Sequence, residues 1–215
     1  MRRLPTNDRA DDLLESRRSS AMHALDRNRL EVALTRLGET LAFRNQAVSV
    51  LVIGGSGLLL LGTVTRATYD VDIVAVVDGS KLSRAQPLPL GLANAARDVA
   101  QAFGLDPNWL NPGPKRLLDF GLPEGCLKRS ELRRYGSLEV HVASRFDQIH
   151  FKLYAAVDQG PRSKHAADRR TLGPSRSDLI AAARWCRTHD PSIGFRGSLG
   201  DALTAFSIEV GDDEL

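Results

Sequence analysis

The chain has 215 residues, 42% of them hydrophobic and 26% charged, a balance that excludes a disordered, collagen-like or disulfide-scaffold protein. The length suits one domain or two small ones and is enough to bury roughly 70% of the unfolded surface. The formal net charge is +3, but residues 198–215 hold Asp201, Glu209, Asp212, Asp213 and Glu214 with no Lys or Arg, so the preceding chain carries a net +8.

Basic residues concentrate at Lys115–Arg134 and Arg162–Arg176. That clustering suits a polyanion such as RNA or a nucleoside triphosphate, and equally an ordinary Arg-rich surface. The longest apolar run, Val48–Leu61, is broken by Gly54-Gly55-Ser56-Gly57 and falls short of the ~20 residues a membrane helix needs. Met1-Arg2-Arg3-Leu4-Pro5 leads into charged residues instead of a signal-peptide core. Cys126 and Cys186 have no metal or redox spacing. The expectation is a cytoplasmic protein with reduced thiols and no membrane partner.

Helices are predicted over 8–19 and 27–43. In the second, Leu30, Val32, Ala33, Leu34, Leu37 and Leu41 form an apolar stripe and Asp26 is the N-cap. Val48–Ile53 is β-branched and reads as a buried strand ending at glycines, with a short helix over Ser56–Leu61. A second strand, Val71–Val77, closes at Asp78-Gly79. A loop with Pro87 and Pro89 leads to a helix over Leu92–Phe103, and Asp106–Pro123 reads as loops with one short helix at Lys115–Phe120. Leu138–Ala143 alternates as a third strand, Glu139 and His141 on one face. Helices follow over about 146–158, 164–172, 177–188 and 198–210. Trp109 and Trp185 are expected to anchor the core. The pattern predicts a mixed α/β (α+β) fold in three parts, N-terminal helices over 1–45, an α/β core over 46–145 and a helical region over 146–215.

The chemistry concentrates between residues 54 and 74. A strand running into Gly54-Gly55-Ser56 and then a helix presents backbone N–H groups suited to phosphate. Fourteen residues after Ser56, Asp70 and Asp72 share one face of a predicted strand, about 7 Å apart. Two neighbouring carboxylates repel unless a cation neutralises them, and hard oxygen ligands facing a phosphate turn suit Mg2+. Arg66 can reach phosphate or brace Asp70, and Thr68 shapes the turn into the strand. A dinucleotide-binding turn fits less well, because GxGxxG is absent and two acids repel a pyrophosphate.

Gly55-Ser56, Leu58, Leu60, Arg66, Thr68, Asp70 and Asp72 fall in the order of the nucleotidyltransferase superfamily signature, and the segment resembles the AbiEii-type toxins most closely. The match covers about 25 residues, with weaker similarity to residue 172, where Lys152 aligns with a helical Lys-Leu-x-Ala and Asp168 with the last aspartate of Arg-Asp-x-x-Asp-Leu. Lys164-His165 stands where that motif has Arg-Asp. The resemblance implies a small mixed sheet flanked by helices, two Mg2+ ions (Mn2+ substituting) and nucleotidyl transfer from an NTP to a hydroxyl. It also implies a third acid on a later strand, for which Glu139 is the candidate as metal ligand or general base, a solvent-facing edge glutamate being the alternative. Lys152 would pair with the triphosphate. The motif does not name the acceptor: the basic segments Lys115–Arg134 and Arg162–Arg176 favour RNA, the resemblance suggests a tRNA 3′ end and an antitoxin protein as partner, and a protein hydroxyl or a small molecule such as an aminoglycoside stays open. The rival reading is a nucleotide- or RNA-binding module without turnover.

Overall fold

Asp26 opens the first helix as expected. Its carboxylate accepts the Arg29 N–H at 2.8 Å and caps α1 (Arg27–Phe43). The computed structural model describes residues 24–159 and 171–204; the helix predicted over 8–19, most of that over 164–172, and Asp168 lie outside the described residues. Along α1, Leu30, Ala33, Leu34, Leu37 and Leu41 are buried, while Val32 falls off the stripe and is exposed.

From α1 the chain enters β1 (Val48–Ile53), which passes directly into the short helix α2 (Gly54–Leu60). β2 (Val71–Asp78) returns antiparallel to β1 and turns into β3 (Lys81–Arg84). Helix α3 (Leu90–Phe103) leads to β4 (Leu110–Asn111), then α4 (Lys115–Phe120) and α5 (Cys126–Arg129). β5 (Glu131–Tyr135) and β6 (Leu138–Val142) form a hairpin, and β6 lies parallel to β1. Three helices follow, α6 (Arg145–Gln159), α7 (Arg176–His189) and α8 (Ile193–Thr204). The mixed sheet runs β3-β2-β1-β6-β5, and β4 pairs with the N-terminal end of β2. This is the mixed α/β class that the sequence predicts. No helix among the described residues is long and apolar enough to cross a membrane.

Both sheet faces are covered. One carries Val50, Val52, Val71, Ile73, Val140 and Val142 into a core shared with α1 and α3. The other carries Leu51, Ile53, Val74, Ala75 and Val77 against Cys126, Phe151 and the half-buried leucines of α4. The first cluster continues to Leu179, Ala182 and Leu199, so it draws on all three of the expected segments.

β2 contributes both Val74 and Ala75 to the same face because its pairing with β1 slips by one residue, from Leu51↔Ala75 to Val52↔Ile73. This β-bulge reverses the alternation of every residue that precedes it in the strand. Asp72, opposite Ile53, therefore points to the face of α4 and α6, while Val71 and Ile73 enter the main core.

The short β4 is anchored by Trp109, fully buried, whose indole N–H donates to the Ala96 carbonyl at 2.9 Å; the Trp109 carbonyl in turn accepts the Val71 N–H. Trp185 is half-buried within a ring cluster with Phe151, Tyr154 and His189. Trp109→Ala should cost about 3–5 kcal/mol, the range for deleting a large buried aromatic; urea unfolding followed by fluorescence checks this, and a loss below 1 kcal/mol would contradict the anchor.

Burial lowers the affinity of His141, His150 and His189 for protons below the ordinary value of 6.5. The unfolded chain then takes up more protons than the native one as pH falls below 6.5, so this part of the stability is complete above 6.5 and is lost on acidification. Thermal unfolding should show a Tm that declines between pH 7 and 5.5; a Tm that rises over that interval would contradict it.

Candidate functional site

The end of β1 dictates the site. Ile53 leads into Gly54 at φ +74°, in the left-handed region, and a Cβ there would overlap Asp72 Oδ2. Only glycine satisfies both constraints. The Gly54 N–H donates to Gln148 Oε1 of α6 at 3.0 Å, which ties the turn to the helix that carries Lys152. Gln148 is fully buried, and Gly57 lacks the Cβ that would crowd its Nε2 at 2.5 Å.

Asp72 stands beside Ile53 on β2 and Asp70 just before the strand. The Thr68 hydroxyl is 3.3 Å from Asp70 Oδ1, and the backbone of Thr68 is fastened to Leu25 by two hydrogen bonds of 2.7 and 3.0 Å. Across from the pair, Asn111 of β4 donates from Nδ2 to Asp72 Oδ1 at 2.9 Å and to Asp70 Oδ2 at 3.4 Å.

Asp72 and Gly54 line a cavity of about 340 Å³ together with Phe151, Lys152 and Tyr154 of α6 and with Pro114, Arg116 and Leu117 at the start of α4. The volume lies within the range of small-molecule sites. A lining that combines a carboxylate, two cations and apolar side chains suits a ligand that joins an anion to a flat apolar group. Lys152 is only 5% exposed, unusual for a lysine and costly without compensation.

The structure thus brings Gly54, Asp70, Asp72 and Lys152 into one region. Gly55 rests on Thr68, with the exposed Arg66 guanidinium nearby. Ser56 is fully buried, and its hydroxyl donates back to the Ile53 carbonyl at 3.4 Å; it is absent from the cavity lining. Of the three turn residues, only Gly54 faces the cavity.

Glu139 is a correction. It pairs with Ser49, four positions before Ile53 on β1, which is roughly 13 Å along the strand from Asp72's neighbour. Its carboxylate instead accepts from Arg134 at 3.0 Å. The strand alternation expected for Glu139 is present, but the parallel register places it at the wrong end of the sheet to serve as third ligand or general base.

Sequence reasoning missed Asn111, Gln148 and Arg116. Asn111 sits in a two-residue strand with no periodic signal, Gln148 reads as a polar helix position, and Arg116 is one of many basic residues between 115 and 134. Other residues of that basic segment serve the fold. Arg129 forms a two-point pair with the fully buried Asp147, and Arg133 bridges Glu31, Glu131 and the Leu60 carbonyl. Cys126, near Asp147, has its thiol pushed up to about 12 by burial, so it stays protonated and unreactive.

Among the described residues no three His, Cys, Asp or Glu side chains converge as a metal site. The oxygen ligands in this region are the two carboxylates, since the Asn111 amide presents its N–H groups to them and its oxygen to Gly113. Compared with known proteins, the chain matches no family model, no curated sequence and no solved structure.

Gln148→Leu keeps the helix and removes the acceptor of the Gly54 N–H, leaving a half-buried donor unmet at a cost of about 1–3 kcal/mol. Thermal unfolding measures this loss; unchanged stability would show that the turn is held by other contacts.

Proposed function

We propose that the protein is a metal-dependent nucleotidyltransferase that moves a nucleoside monophosphate from an NTP to a hydroxyl acceptor. The observation that carries this reading is the single cavity lined by Asp72, by the buried Lys152 and by Arg116. A fit for Mg2+, or Mn2+ in its place, rests on the paired carboxylates of Asp70 and Asp72, which meet at the Asn111 amide. A cation held there would neutralise phosphate charge and acidify an acceptor hydroxyl.

In this reading the triphosphate extends toward Lys152 and Arg116, whose fixed charges stabilise the negative charge that builds on the leaving group. Phe151 and Tyr154 exclude water along the apolar wall. The acceptor oxygen forms a bond to the α-phosphorus, the bond to the β-phosphate oxygen breaks, pyrophosphate leaves with the electron pair, and the hydroxyl proton passes to solvent. Gly54 contributes space for close approach, while its N–H is committed to Gln148.

The acceptor proposed is RNA, from the basic segments Lys115–Arg134 and Arg162–Arg176, with a tRNA 3′ end as the particular case and an antitoxin protein as the partner from the resemblance. Incubation of the protein with each labelled NTP, Mg2+ and total RNA should place label on RNA. Asp72→Ala should reduce transfer by more than the 10²–10³-fold typical of losing one hydrogen-bond donor. Near-normal transfer by that variant would contradict the mechanism.

A second reading, a nucleotide- or RNA-binding module without turnover, is favoured by one observation. The residue paired with Asp72 on β4 is the amide Asn111, and no third acid joins the two aspartates among the described residues. NTP binding without label transfer to RNA or protein would decide for it.

A further inference from the structure

Asn111 is placed by backbone pairing. β4 lies parallel to β2 in the register Asp72↔Asn111, two residues after the buried anchor Trp109. Its amide has a defined orientation. The Gly113 N–H donates to Asn111 Oδ1 at 2.8 Å, and because an N–H can only donate, the oxygen faces Gly113 and the nitrogen faces the carboxylates. Nδ2 then bridges Asp72 Oδ1 and Asp70 Oδ2. On the side of the carboxylate pair that β4 covers there are N–H donors and no further anionic oxygen among the described residues.

We propose that Asn111 is a positioning residue that bridges the carboxylate pair without a cation and limits it to a single divalent ion before nucleotide arrives. The inference rests on the reading of Asp70 and Asp72 as cation ligands. Two carboxylates balance one divalent charge; a second ion would need further anionic oxygen, which here has to come from substrate phosphates. The bridge also offsets part of the repulsion between two half-buried acids in the absence of metal, since each gives one oxygen to the same amide while Asp72 Oδ2 stays directed at Gly54. A carboxylate at position 111 would reverse both effects, adding repulsion without metal and a ligand with it.

The test is Mn2+ binding counted by electron paramagnetic resonance without nucleotide, together with Tm in EDTA and in Mn2+. The wild-type chain should bind one Mn2+. Asn111→Asp should bind two, melt several degrees lower in EDTA, and recover in Mn2+. Asn111→Ala adds no charge; it should still bind one Mn2+, and it too should melt lower in EDTA because the pair is no longer bridged. Asp72→Asn should bind none. Two ions on the wild type, one ion on Asn111→Asp, or an unchanged Tm of Asn111→Ala in EDTA would each overturn the role of Asn111 and leave the cation reading standing. No Mn2+ on the wild type would overturn both.

Discussion

One extra residue in β2 decides which side of the sheet two acids face, and the candidate site depends on it. Strand alternation is strict, so without the slip between Leu51↔Ala75 and Val52↔Ile73, Asp72 would be driven into the apolar core among Val50, Val52 and Val140. With it, Val71 and Ile73 fill that core, and Asp70 and Asp72 emerge beside the turn that follows β1. The bulge therefore couples the core to the candidate site, because the same register that completes the hydrophobic layer directs the Asp72 carboxylate toward Gly54.

The surroundings hold that geometry from three sides. Gly54 supplies backbone that no other residue would tolerate at φ +74° against Asp72. Gln148 fastens the turn to α6, so the same helix positions Gly54 from one turn and Lys152 from the next. On the other flank Trp109 fixes β4, and β4 delivers Asn111 to the acids. α6 itself is held at its start, where Asp147 takes Arg129 and the Ser144 hydroxyl, and Arg145 donates to the Leu172 carbonyl at 2.8 Å. A buried Asp–Arg pair of this kind contributes geometry more dependably than stability, since desolvation offsets much of its attraction.

Much of this was legible in the sequence, and the part that was not has a physical pattern. Asp26 at the N-cap, the stripe of α1, and the exact extents of β1 and α4 follow from local signals of period and capping. So does the sharing of a face by Asp70 and Asp72. The elements that escaped are short and paired at edges. β3, β4 and α5 have four residues or fewer, too few for periodicity to register, and β5 (Glu-Leu-Arg-Arg-Tyr) carries the charges that protect an edge strand and mask its signal. Glu139 shows the other limit. Its strand and its face follow from alternation, but alternation says nothing about register, and the pairing of Ser49 with Glu139 sets it beside the far end of β1. Asn111 is the converse, invisible as a strand residue yet carried next to Asp72 by long-range pairing.

The central claim is that Asp70 and Asp72 take a divalent cation together with a triphosphate directed at Lys152. Crystals grown with Mn2+ and a non-hydrolysable NTP test it most directly through anomalous scattering. The account predicts a manganese peak bound by oxygens of both aspartates, with phosphate oxygens on its far side and the Lys152 ammonium against the chain of phosphates. Manganese absent from those oxygens, or a nucleotide bound away from the Gly54–Lys152 cavity, would contradict it.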